Sequence, residues 1–223
     1  MKKFGLFGGT FNPIHLGHLR SAEEIGESFE LDQVIFIPAS YPPHKEKEQI
    51  LSAPLRSEMV RLAILDNPRF ALSEVELQRP GKSYSVQTIG YFRQRFGEDA
   101  QLYFILGLDA FLEIKTWKDP AALFSLCHFV IMTRPGFEKN FSPEHLPVEL
   151  EGDFCYDSRK GGYLHPSGFF IFPREITGLD ISSTRIRENF QKGRSVKYLL
   201  PSSVEAFIYK NKLYQAKGNL AEG

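Results

Sequence analysis

The chain alternates short apolar runs with longer stretches of helical periodicity. Residues 4–7, 33–37, 69–74, 102–106, 128–132 and 169–172 are continuous or alternating apolar segments rich in β-branched and aromatic side chains, and they read as strands. Between them, residues 16–29, 55–65, 86–96 and 120–126 carry apolar positions at the spacing of amphipathic helices. This βαβα order predicts an α/β fold with a doubly wound, mostly parallel sheet, because parallel strands need crossover connections and helical crossovers cover both faces. Val204, Phe207 and Ile208 recur at helical spacing within residues 201–214 and predict a packed terminal helix. Residues 182–214 thus form a C-terminal helical segment of a single domain spanning 1–223.

Two long segments break the pattern. Residues 39–53 hold Pro42-Pro43-His44-Lys45 and then a charged stretch, which predicts a loop that brings cations toward a ligand. Residues 137–167 are polar, with Gly161-Gly162, and read as an insertion before the final strand.

Ligands of open parallel sheets bind beyond the carboxyl ends of the strands, and the chain's most distinctive segment follows its first strand. That segment is Gly8-Gly9-Thr10-Phe11-Asn12-Pro13-Ile14-His15-Leu16-Gly17-His18. A strand-to-helix turn of this kind presents unpaired backbone N–H groups and a helix N-terminal dipole, both suited to phosphate. Gly8 and Gly9 predict a close approach of main chain to ligand, and Pro13 is expected near the first helical turn, where its missing N–H costs little. His15 and His18 are expected on one helical face, which Gly17 leaves open. Near the other end, Ile181-Ser182-Ser183-Thr184-Arg185-Ile186-Arg187 offers hydroxyls, a helix start and a planar guanidinium fork.

These two segments, about 160 residues apart, resemble the T/HxGH and ISSTxIR signatures of the nucleotidylyltransferase superfamily, and the pair is far more specific than either half. Further pieces fall in the order seen in bacterial nicotinate mononucleotide adenylyltransferases: Pro42 to Lys45, Lys82-Ser83-Tyr84-Ser85, Gly107-Leu108-Asp109 with Trp117, and Thr133-Arg134-Pro135-Gly136. Asn12 stands where many members have Asp, and Ser85 where many have Thr. The resemblance implies a Rossmann-like fold of nucleotidylyltransferase type. It also implies adenylyl transfer from ATP to nicotinate mononucleotide, giving deamido-NAD and pyrophosphate. Phosphopantetheine adenylyltransferase and a non-catalytic nucleotide sensor are the competing readings.

The resemblance also implies roles. His18, His15 and Arg187 would stabilise charge at the phosphates, while Gly8, Gly9, Thr10 and Phe11 would bind phosphate oxygens with Ile181, Ser182, Ser183 and Thr184. Gly107 and Asp109 would meet the ATP ribose, and Arg134 would stack on adenine. Trp117 would stack on the pyridine ring, beside Tyr84 and main-chain donors at Ser85 and Lys118; His44 and Lys45 would supply the loop cations. The motifs contain no Ser-His-Asp or Cys-His arrangement and no carboxylate cage for a resident metal, so Mg²⁺ is expected to arrive with ATP.

Composition changes little in this picture. Lys+Arg and Asp+Glu balance at 27 each, which gives no basic field for nucleic acid. Cys127 and Cys155 lack metal-site spacing and suit a reducing compartment. No run is long enough to span a membrane, so a cytoplasmic location is expected, with a homo-oligomer left open.

Overall fold

The computed structural model describes residues 1–40, 50–79, 81–134, 141–147 and 154–215. The expected loop cations His44 and Lys45 lie outside the described residues, as do Pro135 and Gly136.

Period-two burial sets the strands. In β1 (Lys3–Gly9), Phe4 and Leu6 enter one core while Phe7 enters the other. The same split recurs in β2 (Gln33–Pro38), with Ile35 and Ile37 opposite Val34 and Phe36, and in β4 (Gln101–Gly107), with Leu102, Phe104 and Leu106 opposite Tyr103 and Ile105. Strands apolar on both faces are stable only when both faces are covered. One face is covered by α1 (Leu16–Ser28) and α2 (Ala53–Ala63), together with the C-terminal helices α6 (Ser183–Gln191) and α7 (Ser202–Lys210). The other is covered by α3 (Ser85–Phe96), α4 (Leu108–Leu112) and α5 (Pro120–Leu123).

With β3 (Phe70–Leu72), β5 (His128–Thr133), β6 (Cys155–Asp157), β7 (Gly162–Leu164) and β8 (Phe170–Glu175), the described strands form one eight-stranded sheet in the order β3-β2-β1-β4-β5-β8-β7-β6. Pairing is parallel from β3 through β8 and antiparallel at β8-β7 and β7-β6. The chain runs outward from β1 through β2 to β3, then returns to β4 on the other side of β1. The switch point therefore lies between β1 and β4, which are paired as far as Phe7 and Ile105 and then diverge. The phosphate-binding candidates lie on the end of β1, the loop after it, and the first turns of α1 and α6.

Several expectations change. Within residues 137–167, expected as an insertion before the final strand, β6 and β7 form a hairpin that extends the sheet; their alternation is too short for the polar composition to reveal. α4 went unrecognised because its five residues follow β4 directly and merge with that strand's apolar run. The helix expected over 120–126 ends at Leu123, and the strand expected over 69–74 is reduced to Phe70–Leu72. The expected C-terminal helical part consists of two helices, α6 and α7, joined by a non-helical link. Cys127 is fully buried, and that burial pushes its thiol up to about 12, as befits a small core hydrophobe. Among the described residues no helix is long and apolar enough to cross a membrane.

Candidate active site

The loop after β1 is shaped by packing beneath it. Phe11 adopts a left-handed backbone (φ 47°) and buries its ring, which lies edge-on to Phe7 at 5.9 Å and to His18 at 5.2 Å. A Cβ at Gly9 would come within 2.8 Å of that ring, so Gly9 is small because Phe11 folds back under it. Pro13 is not at the helix start. It follows a cis bond from Asn12, and α1 begins three residues later at Leu16 with His15 at its N-cap.

His15 and His18 accordingly do not share a helical face as expected. The extended backbone at the N-cap turns the buried His15 ring beneath that of the half-buried His18, and the two stack with centroids 3.7 Å apart. Gly17 provides the room, since a Cβ there would lie 3.0 Å from His15 Nδ1. The His15 main-chain N–H donates to His18 Nδ1 at 3.2 Å. This bond fixes the tautomer: with Nδ1 accepting, the proton of the neutral ring sits on Nε2, where it is a donor. Burial, aided by the positive charge of Arg134, pulls His15 down to about 4, so the lower ring is neutral at neutral pH.

His128 is likewise lowered to about 4, first by burial and then by the charges of Lys160 and Arg93; its Nδ1 accepts from Phe170 N at 3.0 Å. For both rings the folded value lies below the unfolded one near 6.5. Between the two, the unfolded chain binds the proton and the folded chain does not, so stability is full above about pH 6.5 and is lost as pH falls toward 4, by up to about 3 kcal/mol per ring. Thermal unfolding followed from pH 7.5 to 4.5 should show this decline, and His128→Asn, which keeps an acceptor but cannot titrate, should flatten it. An unchanged slope in that variant would remove His128 from the account.

The start of α6 faces this loop. Ser182 caps the helix by accepting from Arg185 N at 3.2 Å, and the Ser183 hydroxyl donates to Pro13 O at 2.8 Å. Of the expected hydroxyl donors only Ser183 thus spends its proton within the protein; Ser182 and Thr184 accept, so their O–H groups can still donate to an anion beside the first-turn N–H groups. Arg187 donates to Asn12 O at 2.9 Å and to Thr184 Oγ1 at 3.3 Å, which orients its guanidinium over the loop.

Two hollows meet here. The first, about 540 Å³, is lined by Thr10, Phe11, His15, His18, Asp109, Arg134, Arg187 and residues 181–184, with Asn12 and Ile50. The second, about 680 Å³, includes Gly8, Gly9, Tyr84, Ser85, Gly107 and Trp117 along with Lys82, Glu76, Thr88 and Phe104. Thr10, Phe11, His18, Asp109 and Arg134 line both. Asp109 is exposed in the first turn of α4. Trp117 is half-buried and edge-on to Phe104 at 6.2 Å, so it both packs on the core and lines the hollow. Lys118 lines neither hollow; its ammonium stands 4.8 Å from the Tyr84 ring centroid.

Three participants were not expected. Glu76 is buried in the wall of the second hollow, and its Oε1 accepts from the Thr88 hydroxyl at 2.7 Å. Arg56 is buried and binds four carbonyls, including Thr10 O at 2.7 Å and Ala39 O at 2.6 Å. Tyr214 donates to Asn12 Oδ1 at 2.8 Å. Arg56 sits in an ordinary amphipathic stretch and Tyr214 in a terminal one, so neither carries a local signal; Glu76 is marked only by its nearness to Lys82-Ser83-Tyr84-Ser85.

The family model described as cytidylyltransferase-like matches residues 6–189, a span that contains all the residues lining both hollows. The chain belongs to this family. Within the cytidylyltransferase-like family it is similar to the "Probable nicotinate-nucleotide adenylyltransferase" of Citrifermentans bemidjiense, with 46% identity over 95% of this chain and 98% of the relative. The protein of that name from Geobacter sulfurreducens is 44% identical over 97% of this chain and 100% of its own length. The Plasmodium falciparum nicotinic acid mononucleotide adenylyltransferase complexed with NaAD has the same fold, with a TM-score of 0.74 at 17% identity, covering 96% of this chain and 98% of that one.

Proposed function

We infer that this chain transfers the adenylyl group of ATP to nicotinate mononucleotide, forming nicotinate adenine dinucleotide and pyrophosphate in NAD biosynthesis. The observation that carries the geometric side of this reading is the meeting of two hollows of different character at Thr10 and His18. One is rich in phosphate donors and the other holds aromatic rings. The near full-length similarity to nicotinate-nucleotide adenylyltransferases favours it over phosphopantetheine adenylyltransferase.

In this reading the triphosphate lies in the first hollow, between the loop after β1 and the start of α6, with Arg187 on its charge. Asp109 takes the ribose hydroxyls and Arg134 stacks on the base. The mononucleotide's 5′-phosphate oxygen attacks the α-phosphorus in line, the bond to the bridging oxygen breaks, and pyrophosphate departs. The protein positions the reactants and stabilises charge; none of its groups serves as nucleophile. His18 Nε2–H and the main-chain N–H groups of Gly9 to Phe11 are the donors for charge that builds on the α-phosphate. The cleft's imidazoles, amides and guanidinium suit phosphate oxygens rather than a cation, so Mg²⁺ enters as part of the ATP complex. Cysteine usage and charge balance support a cytoplasmic enzyme without a nucleic-acid partner.

The acid should be preferred over the amide. Tyr84 is the N-cap of α3, and in this reading a pyridine ring stacked on Trp117 turns its substituent toward the first-turn N–H groups of Ser85 and its neighbours. A carboxylate accepts from these donors, whereas an amide turned toward them leaves polar groups unpaired at about 1–3 kcal/mol each. Glu76 is an acceptor in the same wall, but Thr88 already bonds its Oε1. The test is a pyrophosphate-release assay with Mg²⁺, ATP and a panel of acceptors. It should show turnover with nicotinate mononucleotide, with kcat/KM at least about 10-fold above nicotinamide mononucleotide. Turnover with phosphopantetheine alone would replace this assignment, and none with any acceptor would favour a nucleotide sensor.

A further inference from the structure

Asn12 is a junction. It is 4% exposed, and its side-chain oxygen takes two donors from distant parts of the chain, Leu51 N at 3.3 Å and Tyr214 Oη at 2.8 Å. Its main-chain oxygen takes Arg187 Nη1 at 2.9 Å. One residue therefore joins the loop after β1 to the guanidinium that faces the triphosphate hollow and to the end of the chain. The stronger of the two side-chain bonds comes from Tyr214.

Tyr214 lies 25 residues past the end of the family match at residue 189. Its ring is tucked against Phe190 of α6, with centroids 6.1 Å apart, and its backbone is left-handed at φ 61°. A bulky side chain holds that conformation only where packing repays it. Burial raises the phenol's pKa well above its ordinary value, against the opposing pull of Arg187 and Arg56, so the hydroxyl stays protonated and donates. The tail is also tied to the start of α1, where Leu16 N donates to Leu199 O at 3.0 Å.

We propose that Tyr214 is a positioning residue for adenylyl transfer, holding Asn12 so that its carbonyl keeps Arg187 aimed at the triphosphate. The segment beyond the family match thus completes the nucleotide site without touching the nucleotide. Without the hydroxyl, Asn12 Oδ1 loses the shorter of its two described bonds, its peptide is less fixed, and the Asn12 carbonyl is a looser anchor for Arg187. The proposal rests on the functional reading only in taking a triphosphate as the ligand of Arg187.

The test is Tyr214→Phe, alone and combined with Asn12→Ala and Asn12→Asp, read first by calorimetric binding of α,β-methylene ATP. Tyr214→Phe should weaken the analogue about 5-fold and lower kcat/KM for ATP by a similar factor while leaving KM for nicotinate mononucleotide nearly unchanged. In the Asn12→Ala background the same change should have no further effect, whereas Asn12→Asp, which keeps an acceptor, should preserve the coupling. Wild-type affinity in Tyr214→Phe, equal losses for both substrates, or an undiminished effect on Asn12→Ala would each overturn it. Should Tyr214→Phe fail to fold, the proposal requires Asn12→Ala to lose analogue affinity and Asn12→Asp to retain it; equal affinity in the two would overturn it. Because binding is read without an acceptor, a wrong acceptor substrate shows in turnover and leaves the binding result intact.

Discussion

Replacing His18 by alanine should lower kcat by roughly 10²-fold or more, with a modest change in KM for ATP, as expected of a donor aimed at charge that develops in the transition state. The structure supplies the reason for the size. His18 Nδ1 is occupied by the His15 main-chain N–H, its ring rests 3.7 Å above that of His15, and Phe11 meets it edge-on. The donor is held in one tautomer and one orientation before the substrate arrives, so no reorganisation is needed when charge builds. His15→Ala should cost less and act through His18, because the buried lower ring supports the upper one. Arg187→Ala differs in kind: it should raise KM for ATP as well as lower kcat, since in the proposed reading the guanidinium grips the triphosphate before and during transfer. Steady-state kinetics on the three variants separate these patterns, and a near wild-type kcat for His18→Ala would take that ring out of the mechanism.

What the sequence made legible follows the range of the forces involved. The central strands and their helices were readable because apolar alternation and helical periodicity record burial residue by residue, as in Phe4, Leu6 and Phe7 or Ala22 and Ile25. The two segments proposed to bind phosphate were readable because their chemistry is local: glycines, hydroxyls and imidazoles at fixed spacing. The stacking of His15 under His18 was not, because it depends on an extended N-cap backbone and on the absence of a Cβ at Gly17, which looked like a gap left for ligand. Neither were Arg56, Glu76 and Tyr214, whose partners lie at separations the pattern does not encode; Tyr214 and Asn12 are 202 residues apart. Ser183 shows the same limit from the other side. Its hydroxyl was read as a phosphate donor, yet its proton goes to Pro13 O, a contact made only when the chain's two ends meet.

Arg56→Met should destabilise the fold by at least about 3 kcal/mol, or about 6–12 °C in Tm for a chain of this size, and should reduce activity beyond that loss. The buried guanidinium donates to Leu51 O at 2.9 Å, Thr10 O at 2.7 Å, Ala39 O at 2.6 Å and Ser40 O at 3.2 Å, so it closes the ends of β1 and β2 and the entry to α2 around one charge. Methionine fills the volume but leaves those carbonyls short of donors in a site water reaches poorly. It also removes the buried cation that the negative charge of Glu76 helps to hold. Thr10 is the carbonyl through which the proposed activity should suffer, since its residue lines both hollows and its main chain sets the direction of the N–H groups beside it. Arg56→Lys sharpens the test: an ammonium keeps the charge but cannot span the same carbonyls as a planar fork, so it should restore part of the stability and little of kcat/KM. Chemical unfolding and kinetics on both variants decide the matter. If Arg56→Lys matched the wild type in both, the fork geometry would be irrelevant and charge alone would hold the loop.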